Sequence, residues 1–187
     1  NGTNSNGISV VTETYDFTVT VTDHGNGVLT AVTNYPNGQN QFEFVNQYGT
    51  EPVPVEITGS KTLAHDTSLT PADITGKFTF TLEALTEGAP MPAQTTAVND
   101  AAGNVDFGRI TFTTDLLQDV ITTDNGVRTK EFEYKVTESG SAAGVTNDAN
   151  ASTGKTFKLT LTDDGNGNLT VTRNPADGPL FSFTNTY

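Results

Sequence analysis

Apolar and polar residues alternate along most of the chain with a period of two. The pattern runs through 15–23 (YDFTVTVTD), 28–35 (VLTAVTNY), 41–48 (QFEFVNQY), 53–63 (VPVEITGSKTL) and 76–85 (GKFTFTLEAL). It resumes at 105–114 (VDFGRITFTT), 130–139 (KEFEYKVTES), 155–164 (KTFKLTLTDD), 168–174 (NLTVTRN) and 180–187 (LFSFTNTY). Successive side chains of a strand point to opposite faces, so the alternation predicts β-strands with one dry and one wet side. Threonine, present 35 times, supplies most of the wet positions, and its β-branch favours strands. Gly, Pro, Asn and Asp fill the gaps and predict turns. TTDLLQDV at 113–120 allows one short helical turn, and 87–104 reads as a loop. The expected fold class is all-β, built of antiparallel sheets.

The pattern also repeats at long range. FTVTVTDHGNGVLTAVTNYP at 17–36 matches FKLTLTDDGNGNLTVTRNP at 157–175, and FEFVNQY at 42–48 matches FSFTNTY at 181–187. Repeats this far apart point to tandem domains, because solenoid periods are shorter. Residues 1–50 are expected to be the C-terminal portion of a domain, and 51–187 a complete one. GTEPVP at 49–54 reads as a short, proline-stiffened junction. The first part has too few strands to cover its own apolar face. Another chain, a swapped copy or a neighbouring molecule is expected to complete residues 1–48.

Composition narrows the chemistry. The chain has no cysteine, which excludes disulfides, thiolate catalysis and cysteine metal sites. His24 and His65 are too far apart in sequence to suggest a metal pair. A net charge of −13 argues against nucleic acid as a partner. No apolar run is long enough for a membrane span, and NGTNSNG at the start is no signal peptide.

Strand parity then isolates three polar residues on apolar faces. Lys61 shares a face with Val53, Val55, Ile57 and Leu63. Lys77, Lys135 and Lys158 fall instead on Thr- and Glu-bearing faces. Glu138 continues the row Phe132, Tyr134, Val136. Asn185 stands among Phe181, Phe183 and Tyr187, as Asn46 does among Phe42, Phe44 and Tyr48. Buried charges are costly unless paired, and a buried amide needs partners. The lysine, the carboxylate and the Asn185 amide could satisfy one another.

At these residues the chain resembles the isopeptide-linked, Ig-like domains of Gram-positive pilins and adhesins, of the FctA-like streptococcal type related to the CnaB fold. ITGSKTL, GKFTFTLEAL, FEYKVTE, LTDDGNGNLTV and FTNTY carry the resemblance, across nearly all of 51–187. The Thr-x-Ala-Pro-x-Gly-Tyr box of other CnaB domains is not seen. The resemblance implies an Ig-like β-sandwich of the CnaB, reverse-Ig type. It implies that Lys61 links to Asn185 and that Glu138 is the catalytic acid. It gives Asn46 the same linking role toward a segment outside this chain.

The implied reaction is self-directed. The Lys61 amine attacks the Asn185 side-chain carbonyl, and ammonia leaves. Burial is expected to lower the lysine pKa and raise that of Glu138, and Phe132, Tyr134, Phe181 and Phe183 are expected to exclude water. A single turnover does not make an enzyme, and no cofactor is called for. The leading function is a structural stalk or pilin module, extracellular and anchored to a cell wall outside this segment, with neighbouring domains of the same surface protein as partners. An adhesin module contacting host protein or glycan is the alternative, with 87–104 as its surface. DHGNG (23–27) and DDGNG (163–167) have spacings tempting for calcium. Each lies between two alternating strands, where Gly and Asn serve a tight turn, so no metal site is assigned.

Overall fold

Threonine alternating with large apolar residues gives sheets that need a second layer on one side only. A computed structural model of the chain describes residues 2–3, 6–71, 73–123 and 125–187. It divides into two units, Asn1–Gly49 and Thr50–Tyr187.

The first unit contains β1 (Gly2–Thr3), β2 (Ile8–Val10), β3 (Thr18–Asp23), β4 (Leu29–Asn34) and β5 (Gln47–Tyr48). β2 lies between β1 and β5, antiparallel to both, and β3 and β4 form a separate hairpin. The strand expected over 41–48 pairs only at Gln47–Tyr48. Phe44 and Asn46 are exposed rather than facing a core. Among the described residues of this unit, no second layer faces them. Tyr15, Phe17, Tyr35, Phe42 and Phe44 gather instead into a surface cluster, with centroids 5.1–5.5 Å apart.

The second unit contains β6 (Val53–Ala64), β7 (Phe78–Ala84), β8 (Thr96–Val98), β9 (Asn104–Phe112), β10 (Arg128–Gly140), β11 (Lys155–Asp163), β12 (Leu169–Asn174) and β13 (Ser182–Thr186). They form an Ig-like β-sandwich. One sheet has the order β12-β11-β10-β7-β8 and the other β13-β6-β9. β13 runs parallel to β6, with Phe183 opposite Lys61 and Asn185 opposite Leu63. Every other pairing in this unit's two sheets is antiparallel. The 87–104 segment is more than a loop, since Thr96–Val98 pairs with Thr79–Thr81 as an edge strand. A 3-10 turn at Thr114–Leu117 occupies the expected helical position and buries Leu117.

Rings bridge the two sheets. Phe80 of β7 meets Phe183 at 5.6 Å, and Phe112 of β9 meets Phe132 of β10 at 5.7 Å. Fully burying one such side chain contributes roughly 1.5–3 kcal/mol. Phe181 lies against the backbone of Gly59, where any side chain would collide with its ring. That glycine lets β6 and the last strand close on the core directly above Lys61.

Candidate functional site

The three inward polar residues come together at one end of the sandwich. Lys61 and Glu138 are 4% exposed and Asn185 is 0%. Lys61 lies on β6 and Asn185 on β13, its parallel neighbour, two positions beyond the residue facing Lys61. The long lysine side chain spans such a diagonal. Glu138 comes from β10 in the opposite sheet, where it pairs with Phe80 of β7. The parity argument thus names one group from each of three strands, and the sandwich closes them on a common point.

Glu138 is the hub. Its two carboxylate oxygens each accept from Lys61 Nζ at 3.1 Å, and Oε1 also accepts from Asn185 Nδ2 at 2.7 Å. Both side chains of the ion pair have no solvent exposure. Burial lowers the Lys61 pKa; hydrogen bonding to Glu138 opposes that shift without cancelling it. The amine lies over the ring of Phe78, 4.6 Å from its centroid. Of the four rings expected to shield it, Phe183 faces Lys61 across the strand pair and Phe181 lies against Gly59 of the lysine's strand, whereas Tyr134 stacks on Phe157 and Phe132 packs on Phe112. Tyr134 and Phe132 fill the core beside the site, while Phe78 covers the amine itself. Gly103 supports the lysine from behind. Its carbonyl accepts the Lys61 N–H at 2.7 Å, and its φ of +84° permits an approach that a Cβ would block.

Parity could not reveal the fourth component, because it lies on a loop without period. The segment 141–154 crosses this end of the sandwich. Thr146 and Thr186 exchange backbone bonds at 2.8 and 2.9 Å, and Glu138 N–H donates to Ala151 O at 2.8 Å. Between these anchors, the Asp148 N–H donates to Asn185 Oδ1 at 2.7 Å. The Asp148 carboxylate accepts from Asn150 N–H, Thr184 N–H and Lys155 Nζ at 2.8–2.9 Å. Burial alone would raise its pKa, but the Lys155 ammonium and these N–H groups outweigh it and hold the carboxyl at about 2. The only sequence signal was the density of Asn and Asp in TNDAN.

These groups can do amide exchange. An amine, a carboxylate touching both that amine and an amide nitrogen, and a donor on the amide oxygen meet in a water-poor pocket. A family model, the Spy0128-like isopeptide-containing domain, matches residues 2–49 and 57–187. The chain belongs to this family. Spy0128-like domains are structural modules of pilins, and the match includes the short first unit as well as the sandwich. No curated protein and no solved structure gave a significant match.

Asn46, the other residue expected to link, has a different setting. It is exposed, and its Oδ1 accepts from Val11 N–H at 3.2 Å. Residues 1–49 contain no lysine or arginine at all. In the loops tempting for calcium, the turn itself uses the carboxylates. Asp164 takes the N–H groups of Asn166 and Asn168 and the Asn168 side-chain amide. Asp163 pairs with Arg128 at 2.6 Å.

Proposed function

We infer that this chain is a structural stalk or pilin module of a bacterial cell-surface protein, strengthened by an autocatalytic isopeptide bond between Lys61 and Asn185. The observation that supports this most is the single carboxylate, Glu138, within hydrogen-bond reach of both the attacking and the leaving nitrogen. Glu138 takes a proton from the Lys61 ammonium and frees its lone pair. The amine attacks Asn185 Cγ, and a C–N bond forms. Glu138 returns that proton to Asn185 Nδ2 as the old C–N bond breaks, then takes the surplus proton from the new amide nitrogen and passes it to the departing ammonia. Ammonia leaves, and one secondary amide replaces one primary amide. Folding supplies the proximity, and the apolar surroundings keep water from competing. Membership of a family of extracellular surface modules supports a location outside the cell; wall anchoring and neighbouring domains of the same protein belong to this proposal.

The linked residues lie 124 positions apart (185 less 61). By loop-closure entropy, a crosslink over that span adds about 4–5 kcal/mol. Asn46 has no lysine in its own unit, so it stays unlinked unless another polypeptide supplies one. Intact mass under denaturing conditions tests the proposal. The chain should be lighter by one ammonia, and Lys61→Ala and Glu138→Ala should keep their full mass. A folded wild-type chain of unreduced mass would falsify the crosslink.

A further inference from the structure

The amide oxygen of Asn185 gains negative charge as the lysine adds to its carbonyl carbon. A donor aimed at that oxygen stabilises the tetrahedral intermediate, as oxyanion holes do. Glu138 does not serve here, since it faces the amide nitrogen. The group on the oxygen is the backbone N–H of Asp148, at 2.7 Å. We propose that this N–H is the oxyanion donor of the crosslinking reaction, and that the Asp148 carboxylate positions it. The inference rests on the isopeptide reading above and assigns the site a catalytic group from outside the Lys, Glu and Asn set.

Two independent observations carry it. The first is how firmly the donor is held. The Asp148 carboxylate is tied at three points, to Asn150 N–H, Thr184 N–H and Lys155 Nζ. Lys155 is itself fastened to the Ser182 carbonyl at 2.6 Å and lies over the Phe183 ring at 4.9 Å. The loop is therefore pinned to the strand that carries Asn185, at Ser182, Thr184 and Thr186. A donor fixed before reaction need not reorganise during it, which is the physical source of oxyanion stabilisation.

The second observation comes from the first unit. There Ser9 pairs with Gln47, and Val11 N–H donates to Asn46 Oδ1 at 3.2 Å. In the second unit Thr146 pairs with Thr186, and Asp148 N–H donates to Asn185 Oδ1. In both, the donor stands two residues after its bridge residue, and the asparagine one residue before the partner. The first unit has no lysine. The same backbone donor thus meets the carbonyl oxygen where no lysine is present, while in the second unit Glu138 holds the other side of the amide, at Nδ2. Only the second unit adds an aspartate at the donor position, and its bond is shorter by 0.5 Å.

The N–H can be removed without touching a side chain. The full chain, assembled by ligation in denaturant, can carry an ester in place of the peptide bond before residue 148. A matched chain carries the ester before residue 146, which removes the Thr146 N–H bond to Thr186 O at 2.8 Å and spares Asn185. Dilution into buffer starts folding, circular dichroism follows the fold, and mass spectrometry follows ammonia loss. The ester at 148 should slow the loss about 100-fold, the usual effect of deleting one oxyanion donor. The ester at 146 loosens a loop tether but removes no contact of Asn185, and it should slow the loss far less than the ester at 148. Equal rates for the two esters would overturn the assignment. Asp148→Asn keeps an oxygen for the loop N–H groups and should react faster than Asp148→Ala; equal rates there would overturn the positioning role. A wild-type chain that folds and never loses ammonia would sink the isopeptide reading and this inference with it. A reactive wild type with an equally reactive 148 ester would sink this inference alone.

Discussion

The two hairpins, β3–β4 and β11–β12, pair in the same register. Thr18 faces Asn34 and Asp23 faces Leu29; 140 positions later, Lys158 faces Asn174 and Asp163 faces Leu169. Their inward rows also correspond, yet they meet different surroundings. Phe157, Leu159 and Leu161 are at most 2% exposed, whereas Phe17, Val19 and Val21 are 54%, 51% and 61% exposed. A two-stranded element is made by local pattern and turn chemistry. Whether its apolar row becomes a core depends on strands supplied from elsewhere in the chain. For β11–β12 those strands are β10 beside them and β6, β9 and β13 across the sandwich. The same distinction governs chemistry: Asn185 meets a glutamate that also holds Lys61, and among the described residues Asn46 meets a backbone N–H.

The largest effect that tests this contrast is Glu138→Ala. It should abolish the crosslink and leave the Lys61 charge buried without a partner, which costs about 3–5 kcal/mol beyond the lost loop closure. Asn46→Ala, an exposed site, should leave the melting temperature nearly unchanged, and a large drop there would contradict the contrast. Next come the matched rings. Phe157→Ala should lower the unfolding free energy by about 3–5 kcal/mol, and Phe17→Ala by less than about 0.5 kcal/mol; denaturant titration of both variants reads the difference.

A smaller effect separates the loops by pH. Asp148 titrates near 2 in the folded chain, against about 3.9 when unfolded. Its folded pKa is depressed, so its stabilisation is complete above pH 4 and is lost as the pH falls toward 2. The amount is roughly 2–3 kcal/mol. Wild type should lose this increment between pH 4 and 2, and Asp148→Asn should not; parallel curves would refute it. Val11 occupies the matching place in the first unit, so that unit has no such dependence. The smallest effect is in the turns. Asn168→Ala removes the side-chain bond to Asp164 and should speed exchange of the backbone amides at positions 166 and 168. His24 and Val28 stand at the same places in β3–β4, so exchange in that turn should already be fast.

Period-two parity made most of the second unit legible. It located β6, β7 and β9–β13 and separated Lys61 from the other lysines, because a side chain's face follows from its position in a strand. What it missed lacks periodicity. β8 has three residues inside a proline-rich stretch, and its place depends on β7 rather than on its own sequence. Asp148 acts through a backbone N–H, a group that every non-proline residue carries, so no residue type marks it. Gly103 and Phe78 matter through close approach, which only three dimensions display. For the first unit the pattern gave the hairpin but overstated 41–48 as a strand and Asn46 as buried. Alternation states which residues share a face. It does not supply the layer that would cover them.

The parallel pairing of β6 and β13 has a consequence under tension. The chain enters the sandwich at the start of β6 and leaves at the end of β13, so a pull on both ends drags the two strands in opposite directions along their shared ladder. All of its bonds are then sheared together. Once Lys61 and Asn185 are joined, the load crosses from one strand to the other through a side-chain amide. The intervening residues become a slack ring that carries no force. With the proposed crosslink in place, the length of the loaded module would be fixed covalently, and its core could open and close without lengthening it.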